Sequence, residues 1–114
     1  MKGVAILLRT SCPLEDITAL KDPLGRFLFL TAYVGTTVLS ICSLYAPSAP
    51  DATFWENFRT HLAGLTTKHV IIGGDCNATQ SAIADRRVHN GGTPATTCND
   101  KLFTTFLNDT SFID

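Results

Sequence analysis

His69-Val70-Ile71-Ile72-Gly73-Gly74-Asp75-Cys76-Asn77 begins as a short apolar run and ends in two glycines, a carboxylate and an amide. A β-branched run of this length suits a strand buried on both faces, as in a parallel sheet. In an extended chain residues i and i+2 point the same way, so Asp75 and Asn77 would present a carboxylate and an amide to one spot. That spot is the carboxyl end of the strand, where sites gather in open α/β sheets. The paired glycines would let backbone approach closely and leave room for a ligand. A carboxylate can activate water or hold a metal-bound one, and an amide can donate to a phosphate oxygen without adding charge. The same residues also make an ordinary turn with Asn in a left-handed conformation, so the segment alone locates a strand end without fixing a function.

Working outward, residues 28–34 and 37–45 read as two more strands, and the Val34-Gly35-Thr36-Thr37 junction supplies the positive-φ residue that a hairpin needs. The second strand carries Val38, Cys42 and Leu44 on one face and Leu39 and Ile41 on the other, which places it centrally. No charged residue occurs from Phe27 to Pro50, a length that could span a bilayer. Gly35-Thr36 at its middle and the recurring Ser and Thr fit two strands better than one helix. After Pro47 and Pro50, Asp51 or Thr53 can cap a helix running to about Leu65, with Phe54, Phe58, Leu62 and Leu65 at helical spacing. A second helix is predicted over residues 99–108, buried through Leu102, Phe103, Phe106 and Leu107. Gly3-Val4-Ala5-Ile6-Leu7-Leu8 reads as a further buried strand, residues 13–26 as a surface connection broken by Pro and Gly, and residues 78–97 as a long polar loop. Phe112-Ile113-Asp114 starts another strand where the sequence stops, which predicts one partial α/β domain over residues 1–114.

Composition narrows the function. The sequence is 45% hydrophobic, enough for a core, and its nine Lys plus Arg against ten Asp plus Glu leave no basic field, so any contact with DNA would be local. Four cysteines, Cys12, Cys42, Cys76 and Cys98, form no C-x-x-C pair, which argues against a zinc site or a disulfide-linked partner. The apolar run after Met1-Lys2 ends at Arg9, too short for a signal peptide, so the chain reads as intracellular, cytoplasmic or nuclear, and not as a membrane protein. The Asn77-Ala78-Thr79 and Asn108-Asp109-Thr110 sequons carry little weight without a secretory signal.

Four segments taken in order say more than any one of them. The Gly3-to-Leu8 run, the Asp22-Pro23-Leu24-Gly25-Arg26 turn before a strand, Leu44-Tyr45-Ala46-Pro47 before a Phe-rich helix, and Ile71-Ile72-Gly73-Gly74-Asp75-Cys76-Asn77 together resemble the endonuclease/exonuclease/phosphatase family. The Tyr-Ala-Pro and Gly-Gly-Asp-x-Asn forms, with Asp85-Arg86 shortly after, are most like the endonuclease domain of LINE-type (non-LTR) retrotransposons. Each motif is weak alone; their order and spacing, over nearly the whole chain, are specific.

The resemblance implies part of a four-layer α/β sandwich of the deoxyribonuclease I-like type. It implies that Asp75 matches the acid/base aspartate, that Asn77 matches the asparagine that binds the phosphate and positions the nucleophile, and that Tyr45 matches the tyrosine reaching the scissile phosphate. Read without the family, Tyr45 is equally a core or rim tyrosine at a strand end. Ser48 stands where the family often has Asn, a shorter group for the same substrate contact, and Cys76 stands where an apolar residue is usual. Arg86 and Arg87 could meet a DNA backbone or be a solvated loop pair, and His61 and His89 read most simply as surface residues.

The resemblance also implies Mg²⁺ as cofactor, DNA as partner and a reverse transcriptase in the parent chain. The family's metal-binding glutamate precedes the Gly3-to-Leu8 type of segment, but the only glutamates here are Glu15 and Glu56. Its terminal Asp-His pair has no match either, because His61, His69 and His89 follow Thr60, Lys68 and Val88. The expectation is therefore a fragment of a metal-dependent phosphodiester-hydrolysing endonuclease, inactive alone, with Asp75 as its one possible metal ligand. Two other readings stay open: a phosphatase-type fragment acting on a phosphorylated small molecule or lipid, and a non-catalytic binding domain that reuses the fold.

Overall fold

A computed structural model of the chain describes residues 3–79 and 95–112. They form two compact units, a sheet unit made of Met1–Ala46 with Gly64–Asp75, and a helical unit made of Pro47–Ala63 with Cys76–Asp114.

The sheet unit holds β1 (Glu15–Lys21), β2 (Phe27–Val34), β3 (Thr37–Tyr45) and β4 (Val70–Asp75), hydrogen-bonded in that order. β1 and β3 run antiparallel to β2, and β4 runs parallel to β3. The charge-free stretch is thus a hairpin. Gly35 has φ 62° and opposes no neighbour, while Thr36 keeps negative φ, as in the type II′ turn that puts glycine first. Among the described residues no helix is long and apolar enough to cross a membrane. Phe27 and Phe29 on β2 face Leu44 and Cys42 on β3, and all four are buried. None of the four cysteines is in a disulfide.

Two parts of the sheet unit differ from the sequence reading. Residues 13–26 were expected to lack regular structure, yet they contain β1. Pro13 and Pro23 lie outside the strand and flank it, so neither removes a ladder donor from its interior. All seven β1 residues are exposed, which leaves no buried face to mark it in the sequence. Asp16, at φ 52°, accompanies a register shift between Glu15 and Thr18 at this outer strand. Conversely, residues 3–8 form no strand, and Leu7 is 90% exposed. A buried strand needs a neighbour to take its N–H and C=O groups, and among the described residues none pairs with this segment.

The helical unit holds α1 (Ala52–Ala63) and α2 (Cys98–Thr110). Asp51 caps α1, its carboxylate accepting from the Phe54 N–H at 2.9 Å. Phe54, Trp55 and Phe58 are buried, whereas Leu62 and Leu65 are only half-buried and Leu65 lies past the helix end. On α2, Phe103, Phe106 and Leu107 are buried as their spacing predicts, and Leu102 is half-buried. The core of the unit is aromatic. Trp55 lies 5.7 Å from Phe103 and 5.0 Å from Phe106, and Phe106 lies 5.4 Å from Phe58. Each such pair adds about 1 kcal/mol beyond the area it buries. Phe112 stacks on Phe106 at 6.1 Å; Ile113 and Asp114, expected to continue into a strand, lie outside the described residues.

Candidate active site

β3 and β4 are parallel and end together. Tyr45, the last residue of β3, is the register partner of Asp75, the last residue of β4. Register partners on adjacent strands share a face and their backbones lie about 4.8 Å apart across the ladder, so the two strands bring Tyr45 and Asp75 to the same end of the sheet. Main-chain bonds fix both. The Ala46 N–H donates to the Asp75 carbonyl at 2.8 Å, and the Tyr45 N–H donates to the Arg26 carbonyl at 2.7 Å. Tyr45 is half-buried and Asp75 is exposed.

Arg26 closes the turn that the sequence marks by Pro23 and Gly25. The Gly25 N–H donates to the Asp22 carbonyl at 2.9 Å, with Gly25 at φ 72°. The Asp22 carboxylate accepts from Arg26 Nε at 2.7 Å and from the Arg26 backbone N–H at 3.1 Å. Burial of the Asp22 carboxyl would raise its pKa, but the Arg26 side-chain and backbone hydrogen bonds, the Arg26 charge and the Leu24 N–H outweigh it and leave the pKa lowered. Asp22 is therefore a buried structural charge that braces the strand ends, a role the sequence did not suggest for it.

The paired glycines have separate tasks. Gly74 has φ 145°, and a Cβ built on it would lie 1.9 Å from the Leu44 carbonyl oxygen, so β3 approaches too closely for any side chain. Gly73 meets nothing within 4 Å of the same hypothetical atom. Two residues before Asp75, it leaves the face beside the carboxylate open.

The i and i+2 alternation stops at Asp75. β4 ends there, and Asn77 has φ 48°, in the left-handed region that Asn tolerates. The direction of the Asn77 side chain is thus set by a turn, and the strand-based expectation that it parallels Asp75 does not carry over.

Asn77 and Ser48 belong to the helical unit, and there Asn99 links their backbones. Its Nδ2 donates to the Ser48 carbonyl at 2.7 Å and, more weakly, to the Asn77 carbonyl at 3.4 Å. Ser48 itself is exposed. The next residue, Asp100, is 1% exposed. Its carboxylate takes the Thr79 N–H on Oδ1 and the Thr97 N–H on Oδ2, both at 2.8 Å. Thr97 returns the bond by accepting the Asp100 N–H on Oγ1, which completes a capping box. Sequence reasoning missed Asn99 and Asp100 as supports. The available signal was Thr97-Cys98-Asn99-Asp100, a Thr-x-x-acid pattern ahead of an apolar run.

Arg86 and Arg87 lie outside the described residues. Among the described residues no group of three or more His, Cys, Asp or Glu side chains could hold a metal ion. Asp75 alone offers one carboxylate, and a hard divalent cation that wants several oxygen ligands does not fit that donor set.

The chain resembles a solved retrotransposon domain in fold. The endonuclease domain of TRAS1, a telomere-specific non-LTR retrotransposon, matches it with a TM-score of 0.59 over 83% of this chain, at 15% identity. The match covers 42% of that domain, so this chain spans less than half of its length. No family model matches the chain. What is common to the two proteins is therefore a mixed α/β fold.

Proposed function

We propose that the chain is the substrate-positioning part of a retrotransposon endonuclease that hydrolyses phosphodiester bonds in DNA, built on the deoxyribonuclease I-like sandwich of the endonuclease/exonuclease/phosphatase family, and that it does not turn over alone. The observation that carries the reading is the register of β3 and β4, which delivers Tyr45 and Asp75 to one sheet edge beside the open face at Gly73. An exposed carboxylate there can accept a proton from an attacking water, and a phenol can donate to a phosphate oxygen. The family resemblance would make Asn77 an uncharged donor to the phosphate and Ser48 a weaker contact. The fold likeness to the TRAS1 endonuclease domain supports the same assignment.

The described residues do not assemble a site for the magnesium that such an endonuclease would use to polarise the phosphate. Residues that act as a unit fail together, so positioning without activation gives negligible rate.

The experiment is plasmid nicking with Mg²⁺. The 114-residue chain is expected to leave supercoiled plasmid intact. A longer chain that adds a glutamate-bearing strand before it and an Asp-His segment after it is expected to nick, and to lose nicking on Asp75→Ala. Nicking by the longer chain that survives Asp75→Ala, or no nicking by it at all, overturns the reading.

A further inference from the structure

Asn99 is 7% exposed, and its amide is used in an uneven way. Both partners of Nδ2 are main-chain carbonyls on separate stretches of chain, Ser48 and Asn77. The amide cannot be turned over, because that would set its oxygen against two others. Its Oδ1 is buried and has no partner among the described residues. A buried acceptor left without a donor is not what stability alone would select. An apolar side chain of similar size would remove that orphan and both bonds with it. Next to it, Asp100 holds the Thr79 N–H. Two consecutive side chains at the start of α2 thus hold the backbone at Ser48, Asn77 and Thr79.

We propose that Asn99 is a positioning residue: through its two carbonyl partners it locks the Ser48 and Asn77 stretches into one arrangement for a phosphate-bearing ligand. What these stretches face rests on the nuclease reading above; the lock itself does not.

The test uses the full chain labelled with ¹⁵N, its Asn99→Asp and Asn99→Leu variants, and a short thymidine oligonucleotide as probe. Asn99→Asp keeps the shape and removes the donors. The amide signals of Ala49 and Ala78, which share peptide groups with the two carbonyls, are expected to move together in both variants. If they stay in place, the lock is overturned. The wild-type chain is expected to show oligonucleotide-induced shifts at Ser48 and Asn77, and Asn99→Asp to weaken that binding about tenfold. Arg59→Ala, which only removes a surface ion pair with Asp109, should leave the affinity unchanged. A folded Asn99→Asp with lower melting temperature but wild-type affinity reduces Asn99 to a packing residue and overturns the proposal. No response of the wild type to the oligonucleotide, with Ala49 and Ala78 still moving together, defeats the nuclease reading and leaves the lock standing. If neither variant folds, the wild-type chain decides: the Asn99 side-chain NH₂ must be slow to exchange with solvent, and exchange at the free-amide rate sinks the proposal.

Discussion

Tyr45 and Asp75 are placed by main chain, through the β3–β4 ladder and the bonds to the Arg26 and Asp75 carbonyls. The backbones at Ser48, Asn77 and Thr79 are placed by side chains, Asn99 and Asp100. The first arrangement does not depend on which side chains occupy most positions, because every residue brings the same N–H and C=O. It fails only where space runs out or where the brace behind it is lost. The second depends on the chemistry of individual residues and can be weakened one hydrogen bond at a time.

The largest effect should come from the position where space has run out. Gly74→Ala drives a methyl group into the Leu44 carbonyl and forces an L residue to φ 145°, which is expected to cost about 3–5 kcal/mol. Gly73→Ala, with open space, should change stability by less than about 1 kcal/mol. Urea unfolding of the two variants checks the pair; equal losses would mean that the ladder does not approach as closely as described.

Next comes the brace. Arg26→Ala leaves the Asp22 carboxyl, whose side chain is 2% exposed, without its cation and should cost about 3 kcal/mol. The dependence on pH should also weaken. In the wild type the folded-state pKa of Asp22 is lowered, so its stabilisation is complete above the ordinary aspartate pKa and is lost as pH falls through the folded value. Without the Arg26 side chain its hydrogen bond and charge no longer lower that pKa, while the Arg26 and Leu24 backbone bonds remain, so less stability is lost on acidification. Unfolding curves between neutral and acid pH read the slope directly; an unchanged slope in Arg26→Ala would remove Asp22 as a stabilising charge.

The smallest effect belongs to the side-chain arrangement. Thr97→Ala removes the Oγ1 acceptor of the capping box while the Asp100 bonds to the Thr79 and Thr97 N–H groups remain, and should cost about 1 kcal/mol. Melting of the α2 helix signal checks it, and a loss as large as that of Arg26→Ala would show that the two arrangements are not different in kind.

How much of this was legible beforehand follows the same division. The hairpin was readable because Gly35 punctuates two apolar runs, and the ends of β3 and β4 because Tyr-Ala-Pro and Gly-Gly-Asp stop them. The helices were readable because their Phe residues recur at helical spacing. β1 was hidden because all seven of its residues are exposed and Pro13 and Pro23 looked like interruptions when they are its borders. Residues 3–8 misled for the opposite reason: an apolar run reports a preference for burial but not what would do the burying. Asp75 and Tyr45 were singled out from motif and strand end together. Asn99 and Asp100 were not, because polar residues opening a helix look the same whether they cap only their own helix or also hold other stretches of chain.

One carboxylate, that of Asp100, receives the Thr79 N–H on one oxygen and the Thr97 N–H on the other. A single buried side chain therefore ties the backbone two residues past Asn77 to the residue that caps α2. An amide in its place would offer one oxygen and one NH₂, so it could keep only one of the two bonds. In engineering terms Asp100 is a staple that no isosteric neutral residue can replace.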